Sequence, residues 1–536
     1  MGDGPVDPAI LPVIRPAMGN NAHEEAMAID FDRFRLRRFV EQLKARGEVE
    51  THDEPVALGA LAALVEASDK AMLFRNVGPE GFEIAAGISS SRSRLAAAFD
   101  VAEAQLLPEY LRRLQQPQTT IEIPSRDAPI HQTILTGDQI DLSRLPFYLQ
   151  HEFDGAPYIS AAIDYTVDPA TGKSNVGCRR LMLKGRRELR SNLTQPSDLR
   201  EIYRAAVARK ERLPVSFVIG SHPCDFLAAT SKAPIDEFKL IATIRGETLP
   251  MVKGVTNNIP VPADAELSLE GYFDERGYSE IEGPYGELYG LYGPMHPDPI
   301  FHVTAITMRS DVLHQTLLHG GRHLRRNDAA QLSSLNFEAL AWRTLKMAGF
   351  DVRAIYLPPA ATGLHHVRVA IKQRAAGDGR AVIAALIKLP LLKHVFVVDD
   401  DIDIRSEEAM EWAFATRFRI DKDVVSEPGH FALSMDPTSE GGEMIKAGFD
   451  LTRDLAAPDI IENRLSSTPH LKLQPRFQTV RQALETRPMY FIELMQSIGT
   501  ADGREIALEL DELQRQGVIG RGRDGEWQLT EAAGSS

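Results

Sequence analysis

Residues 31–50 read FDRFRLRRFVEQLKARGEVE, and the apolar positions Leu36, Phe39, Val40 and Leu43 recur at intervals of three and four. That spacing puts them on one face of a helix, and Gly47 supplies a residue at which a helix readily stops. Helix-like and strand-like stretches (ALGALAALVEAS, KAMLFRNV, RSRLAAAF) alternate to about residue 115, which predicts a small α/β domain over residues 29–122. Over residues 123–328 the texture changes to short β-branched runs, ISAAIDYTV, LPVSFVIG, LPMVKGV and IFHVTAITM, broken by Gly, Pro and Asp. Such runs predict a barrel or a sandwich. Residues 329–472 return to α/β, with FEALAWRTLKMAGF as a helix, DVRAIYL and HVRVAIK as strands, and KHVFVVDDDIDI as a buried strand meeting an acidic loop.

Residues 473–536 read as a separate appendage. TVRQALET, YFIELMQSI and GREIALELDELQRQGV predict three helices, and IGRGRDGEWQL predicts a β-ribbon with Asp524-Gly525 at its tip. This is the order of a winged helix. In a DNA-binding member the third helix enters a groove, yet here Glu505, Glu509, Asp511 and Glu512 outnumber Arg504 and Arg515. Their charge repels phosphate, so the appendage is read as a packing or interaction module. Residues 1–28, rich in Pro, Gly, Ala and acid, read as a loose arm.

A chain of 536 residues is too long for one hydrophobic core, in keeping with several domains. Its 75 acidic against 60 basic side chains give a formal net charge of -15. That balance argues against a nucleic acid or an anionic membrane as partner and leaves small molecules and other subunits. Cys178 and Cys224 are the only cysteines and lie far apart in sequence, so no disulfide framework is expected and a reducing cytoplasm fits. Neither a secretory leader nor an apolar run long enough to span a bilayer is seen, and a cytoplasmic location is expected.

The candidate chemistry centres on SEIEGPYGELYG, where Glu282 and Glu287 flank a Gly-Pro-Tyr-Gly turn. Upstream, SNVGCRRLMLKG sets Asn175 and Arg180 five apart after the turn DPATGK. Asparagine offers a neutral oxygen to a hard cation or a phosphate, and arginine is a forked receptor for carboxylate. Glu237 stands at a helix start in TSKAPIDEF, and Lys393 precedes the strand in LLKHVFVVDDDIDI.

In that order, N-x-x-x-x-R, a Glu in a DEF setting, E-G-P-Y-G-E and a Lys before VVDDDID, the chain resembles the UbiD-like decarboxylases that depend on prenylated FMN and act on aromatic and α,β-unsaturated acids. The resemblance runs from about residue 30 to 470. It implies a central split β-barrel like that of flavin reductases, flanked by N-terminal and C-terminal α/β domains, with the winged appendage as an addition. It further implies a reversible decarboxylation of an aromatic or heteroaromatic acid through a covalent adduct with prenylated FMN, a flavin prenyltransferase as supplier of the cofactor, and a homodimer or larger homo-oligomer. Arg180 would hold the substrate carboxylate, Glu282 would brace Arg180, and Glu287 would be the proton donor. Asn175 and Glu237 would ligate Mn2+ or Mg2+, with K+ nearby. Asn175, Gly177, Cys178, Arg179, Arg180 and Lys393 would face the cofactor. Chemistry agrees on the need for such a cofactor: loss of CO2 from an sp2 carbon leaves electrons in the ring plane, and no side chain offers a sink for them.

Two positions depart from the family. The third metal ligand is usually a His eighteen residues after the arginine, and Asp198 stands there, either as a substitute ligand or as a cap of the helix that follows. In GCRR, Arg179 either grips a second anionic group or pairs with an acid such as those of the DDD run, while Cys178 is read as packing. His314, His319, His323, His365 and His366 lack zinc-ligand spacing, although one of them is expected to line the pocket; Asp399, Asp400, Asp401 and Asp403 are read as turn and cap residues. The competing reading is a flavin-binding sensor without activity that acts through its tail, and a further one is a plain flavin reductase.

Overall fold

The helix Leu36–Ala45 buries Leu36, Phe39, Val40 and Leu43, the face its spacing predicts. This helix opens a computed structural model that describes residues 29–321, 323–457 and 466–530; the expected arm at 1–28 lies outside the described residues. Next to it runs a four-stranded sheet, in the order Val49–His52, Ala71–Val77, Phe82–Ala86 and His314–Thr316. The last strand comes from far along the chain and pairs in parallel with Phe82–Ala86, His314 opposite Ile84.

Six antiparallel strands close the central barrel. Leu267–Phe273, Leu213–Ile219, Tyr158–Val167, Ser174–Leu183, Glu188–Ser191 and Ile300–Met308 follow one another around it, and the last pairs back onto the first. Thr133–Thr136 adds a further strand beside Ile300–Met308. Inside, Phe217, Phe273 and Phe301 meet edge to face, with Phe217 and Phe301 centroids 4.7 Å apart. The closing pair bulges at Glu270 and Gly271, where a Cβ would stand 2.0 Å from the carbonyl oxygen of His302. Only glycine permits that approach.

Outside the barrel, helices Pro223–Ala229 and Glu237–Arg245 cover Ala161, Ile163, Tyr165 and Val176. The strand Tyr158–Val167 is therefore buried on both faces, which explains its unbroken apolar texture. The 20-residue helix Asp328–Met347 leads to a five-stranded sheet in the order Val352–Tyr356, His366–Ile371, His394–Asp399, Glu443–Asp450, Val424–Phe431. The acidic run at the C-terminal end of the middle strand is a turn tied down by Arg417, which pairs with Asp401 at 2.6 Å and with Asp399 at 3.5 Å.

Thr452 onward, with Gln373–Gly379, forms a second compact unit. Helices Val480–Leu484, Phe491–Ile498 and Arg504–Arg515 precede a ribbon of Ile519–Arg521 and Trp527–Leu529 around a core of Val480, Leu494, Leu510 and Trp527. On the third helix, Arg515 is paired with Asp511 and Glu512, and Arg504 with Asp502. No helix among the described residues is long and apolar enough to cross a membrane.

Candidate active site

Arg180 lies on the barrel strand Ser174–Leu183, and its guanidinium meets both acids of the Gly-Pro-Tyr-Gly turn. Nε and Nη2 donate to the two oxygens of Glu282, each at 2.8 Å, and Nη1 donates to Oε1 of Glu287. All three are buried, at 9 %, 0 % and 6 % exposure. Burial works against the arginine's charge, but the hydrogen bonds and charge of Glu282 outweigh it and hold the guanidinium above its ordinary range. Tyr158 donates its hydroxyl to Oε1 of Glu282 at 3.0 Å, and the Tyr285 ring lies 4.7 Å from the guanidinium carbon.

The turn is fixed from behind. Gly283 has φ 89° and its bond to Pro284 is cis. Asp154 accepts the backbone N–H of Gly286 at 3.0 Å and that of His151 at 2.9 Å, with the His151 ring 3.1 Å from its carboxylate. A Cβ on Gly286 would stand 2.4 Å from the His151 ring, and one on Gly320 would stand 2.5 Å from it. The histidine is thus clamped between two glycines, a role no local sequence signal announced. On the far side of Glu282, His296 and Asp298 come from the strand paired with it, Nδ1 of His296 lying 2.6 Å from Asp298.

A cavity of about 330 Å³ opens beside Arg180 and Glu287, walled by Tyr285, Leu288, Leu317, Leu332 and Met435. Cys178 and Arg179 also line it. Burial pushes the Cys178 thiol up to about 12, so it packs as a neutral group. His319 is the histidine that reaches this cavity, its Nε2 3.4 Å from Oε2 of Glu287. His314 instead packs edge-on against Phe82, and His366 against His394.

Farther along the same strand, Asn175 is buried and donates to Asp164 at 2.8 Å. Arg179 pairs with an acid, but with Asp164 at 2.9 Å rather than with the DDD run. Burial pushes Asp164 up to about 6. Glu237, first residue of its helix, accepts the N–H of Val176; burial, and then the charges of Asp198 and Asp164, push it up to about 7. Asp198 does not cap its helix, because Ser197 takes that place and accepts the N–H of Arg200; it is exposed, 3.6 Å from Lys232. The carboxylate of Glu237 and the side-chain amide of Asn175 are oxygen donors of the kind that suits a hard cation. Gly177 lies against Asp164, where a Cβ would come within 2.9 Å. Lys393 is not among the residues lining the cavity; its Nζ is held by Asp436 at 2.8 Å and by Thr438. Asp164 was the overlooked member, and its sequence signal was an acid inside the apolar run ISAAIDYTV.

Known proteins carry the same architecture. Three models of 3-octaprenyl-4-hydroxybenzoate carboxy-lyase match in order: the N-terminal domain at residues 40–114, the Rift-related domain at 122–322 and the C-terminal domain at 331–451. Anhydromevalonate phosphate decarboxylase of Methanothermobacter thermautotrophicus is 28% identical over 428 residues, 79% of this chain and 98% of that protein. HmfF, a UbiD-class enzyme of Pelotomaculum thermopropionicum solved in complex with FMN, superposes with a TM-score of 0.76 at 29% identity, covering 81% of this chain and 97% of its own. An evolved dimeric form of HmfF was solved with prFMN, with a TM-score of 0.72 at 28% identity, covering 80% and 96%. Vanillic acid decarboxylase of Sedimentibacter hydroxybenzoicus gives 0.74 at 25% identity, covering 81% and 96%. With the Arg180, Glu282 and Glu287 cluster on a closed barrel between two such α/β regions, the chain belongs to the UbiD family of carboxy-lyases.

Proposed function

We propose that this enzyme catalyses the reversible, non-oxidative decarboxylation of an aromatic or heteroaromatic carboxylic acid with prenylated FMN. The observation that carries the reading is one buried arginine shared by two carboxylates at the wall of an apolar cavity. A guanidinium has five N–H donors. Glu282 takes one from Nε and one from Nη2, and Glu287 takes one from Nη1. One N–H therefore remains on each terminal nitrogen for a substrate carboxylate. Glu282, fixed by Tyr158, orients the fork, and Glu287 delivers the proton to the carbon that CO2 leaves. The apolar walls exclude water and strengthen these charge interactions.

Prenylated FMN, when bound, supplies the electron sink that breaking the bond to CO2 requires. Asn175, Glu237 and Asp198 would hold Mn2+ or Mg2+ against its phosphate, with K+ as a further counter-ion, and Gly177, Cys178 and Arg179 would face the cofactor. Lys393 would reach it only by exchanging its present partner Asp436 for the cofactor's anionic end. A flavin prenyltransferase supplies the cofactor, and the enzyme works as a homodimer or larger homo-oligomer in the cytoplasm. The acidic, winged-helix-like tail serves packing or protein contact.

The test is co-expression with a flavin prenyltransferase, the mass of the bound cofactor, and CO2 release across a panel of aromatic and heteroaromatic acids. A prenylated-FMN mass with at least one acid decarboxylated supports the reading. Plain FMN with no CO2 from any acid would sink it in favour of a flavin-binding sensor.

A further inference from the structure

Glu287 can donate only the proton it holds, and the cavity that serves the substrate has largely apolar walls. A proton must return to Glu287 after every turnover by another way. A second cavity, of about 420 Å³, lies behind the catalytic turn between the helix Leu61–Ala67 and the segments around Gln150 and Gly320. Leu317 and His319 line both cavities. Leu317 is aliphatic and moves no proton, whereas the imidazole of His319 carries a donor and an acceptor nitrogen on opposite sides of one ring. Its Nε2 lies 3.4 Å from Oε2 of Glu287, the oxygen that Arg180 does not hold, and a quarter of the side chain (25%) is exposed. The separation is long for a hydrogen bond, as is common for catalytic contacts before substrate binds.

We propose that His319 is the relay that returns a proton to Glu287 from water in the outer cavity. After Glu287 has given its proton to carbon, Nε2–H donates to Oε2 of the carboxylate while Nδ1 accepts a proton from a water of the outer cavity. The ring passes from one neutral tautomer to the other, and exchange with water, which takes the proton from Nδ1 and returns one to Nε2, restores it. The balance is one solvent proton consumed for each CO2 released. The surroundings favour such a neutral shuttle over a stored charge: burial, and then Arg180 and His151 facing the ring, push its pKa down to about 3 against the opposing pull of the Asp154 carboxylate beyond His151.

This inference rests on Glu287 as the proton donor. Its test is rapid-quench kinetics of the cofactor-loaded enzyme with the panel acid it turns over, comparing wild type, His319→Leu, His319→Gln and Glu287→Gln. The relay predicts that both His319 variants form one protonated product per site at the wild-type rate and then slow at least tenfold in later turnovers, and that added imidazole restores the later ones. A first turnover slowed as much as the rest, no slowing at all, or a burst that imidazole does not relieve would each overturn it. Glu287→Gln separates the two readings, because it must fail to form the protonated product even in the first turnover; if it forms that product, the donor assignment has failed. Without cofactor, 15N-histidine spectra should show His319 as a neutral imidazole whose Nε2 signal shifts in Glu287→Gln, and a doubly protonated or unresponsive ring would equally overturn the relay.

Discussion

The barrel strand Ser174–Leu183 carries two polar sites five residues apart, and they solve opposite electrostatic problems. At Arg180 the chain supplies both signs of charge: one guanidinium, two carboxylates and a tyrosine hydroxyl meet in fixed geometry. Around Asn175 acids outnumber bases: Asp164 pairs with Arg179, Asp198 with Lys232, and Glu237 is pushed up by burial and then by the charges of Asp198 and Asp164. The first site is preorganised by the protein alone and suits an anionic substrate group. The second suits a cation brought from outside. One strand can thus anchor substrate with one end and help to hold a charged cofactor with the other, because burial makes each charge imbalance costly enough to be selective.

The largest effect that separates the two ends should come from Arg180→Ala. It leaves Glu282 buried without its charge partner, which costs about 3–5 kcal/mol in systems of this kind. Urea denaturation should show a loss of that order together with loss of turnover, and a variant as stable as wild type would mean that the cluster at Arg180 is not closed as described. Next, Mn2+ at a hundredfold excess over its dissociation constant should stabilise the wild type by about 2.7 kcal/mol. Glu237→Ala should lose that response in thermal melts and Arg180→Ala should keep it; an equal response in Glu237→Ala would break the comparison. The smallest change is Tyr158→Phe, which removes one hydrogen bond to the charged Glu282, worth about 1.5 kcal/mol. It should lower stability by roughly that amount and slow turnover without changing the Mn2+ response.

Much of this contrast could be read from the chain, and the rest could not for identifiable reasons. Arg180, Glu282 and Glu287 carry their own signal, because a turn built from Gly283, Pro284 and Gly286 has little reason to separate two acids unless both serve one partner. The amphipathic first helix is equally legible, since its partner surface is a single face. The barrel strands lose their alternation because helices cover their outer side, as at Ala161 and Ile163. Tyr158, Asp164 and the His151–Asp154 pair stayed hidden because each acts on a residue brought to it by strand register or by a long connection: Asp164 sits beside Asn175 only because Thr166 pairs with Asn175 on the neighbouring barrel strand. His314–Thr316 joins a sheet begun more than two hundred residues earlier, which no local pattern encodes. The helix cap fell to Ser197 rather than Asp198, a one-residue shift that spacing cannot resolve.

The central claim is that Glu287, held by Arg180, gives the proton that replaces CO2. Its most direct test is a single-turnover measurement of protonated product formation with cofactor-loaded Glu287→Gln, alongside the affinity of the same variant for the acid. Glutamine keeps the shape and can still accept the N–H of Arg180, but it carries no acidic proton. The account predicts substrate affinity within a few-fold of wild type and turnover reduced by roughly 10²–10⁴. Turnover at the wild-type rate would contradict it.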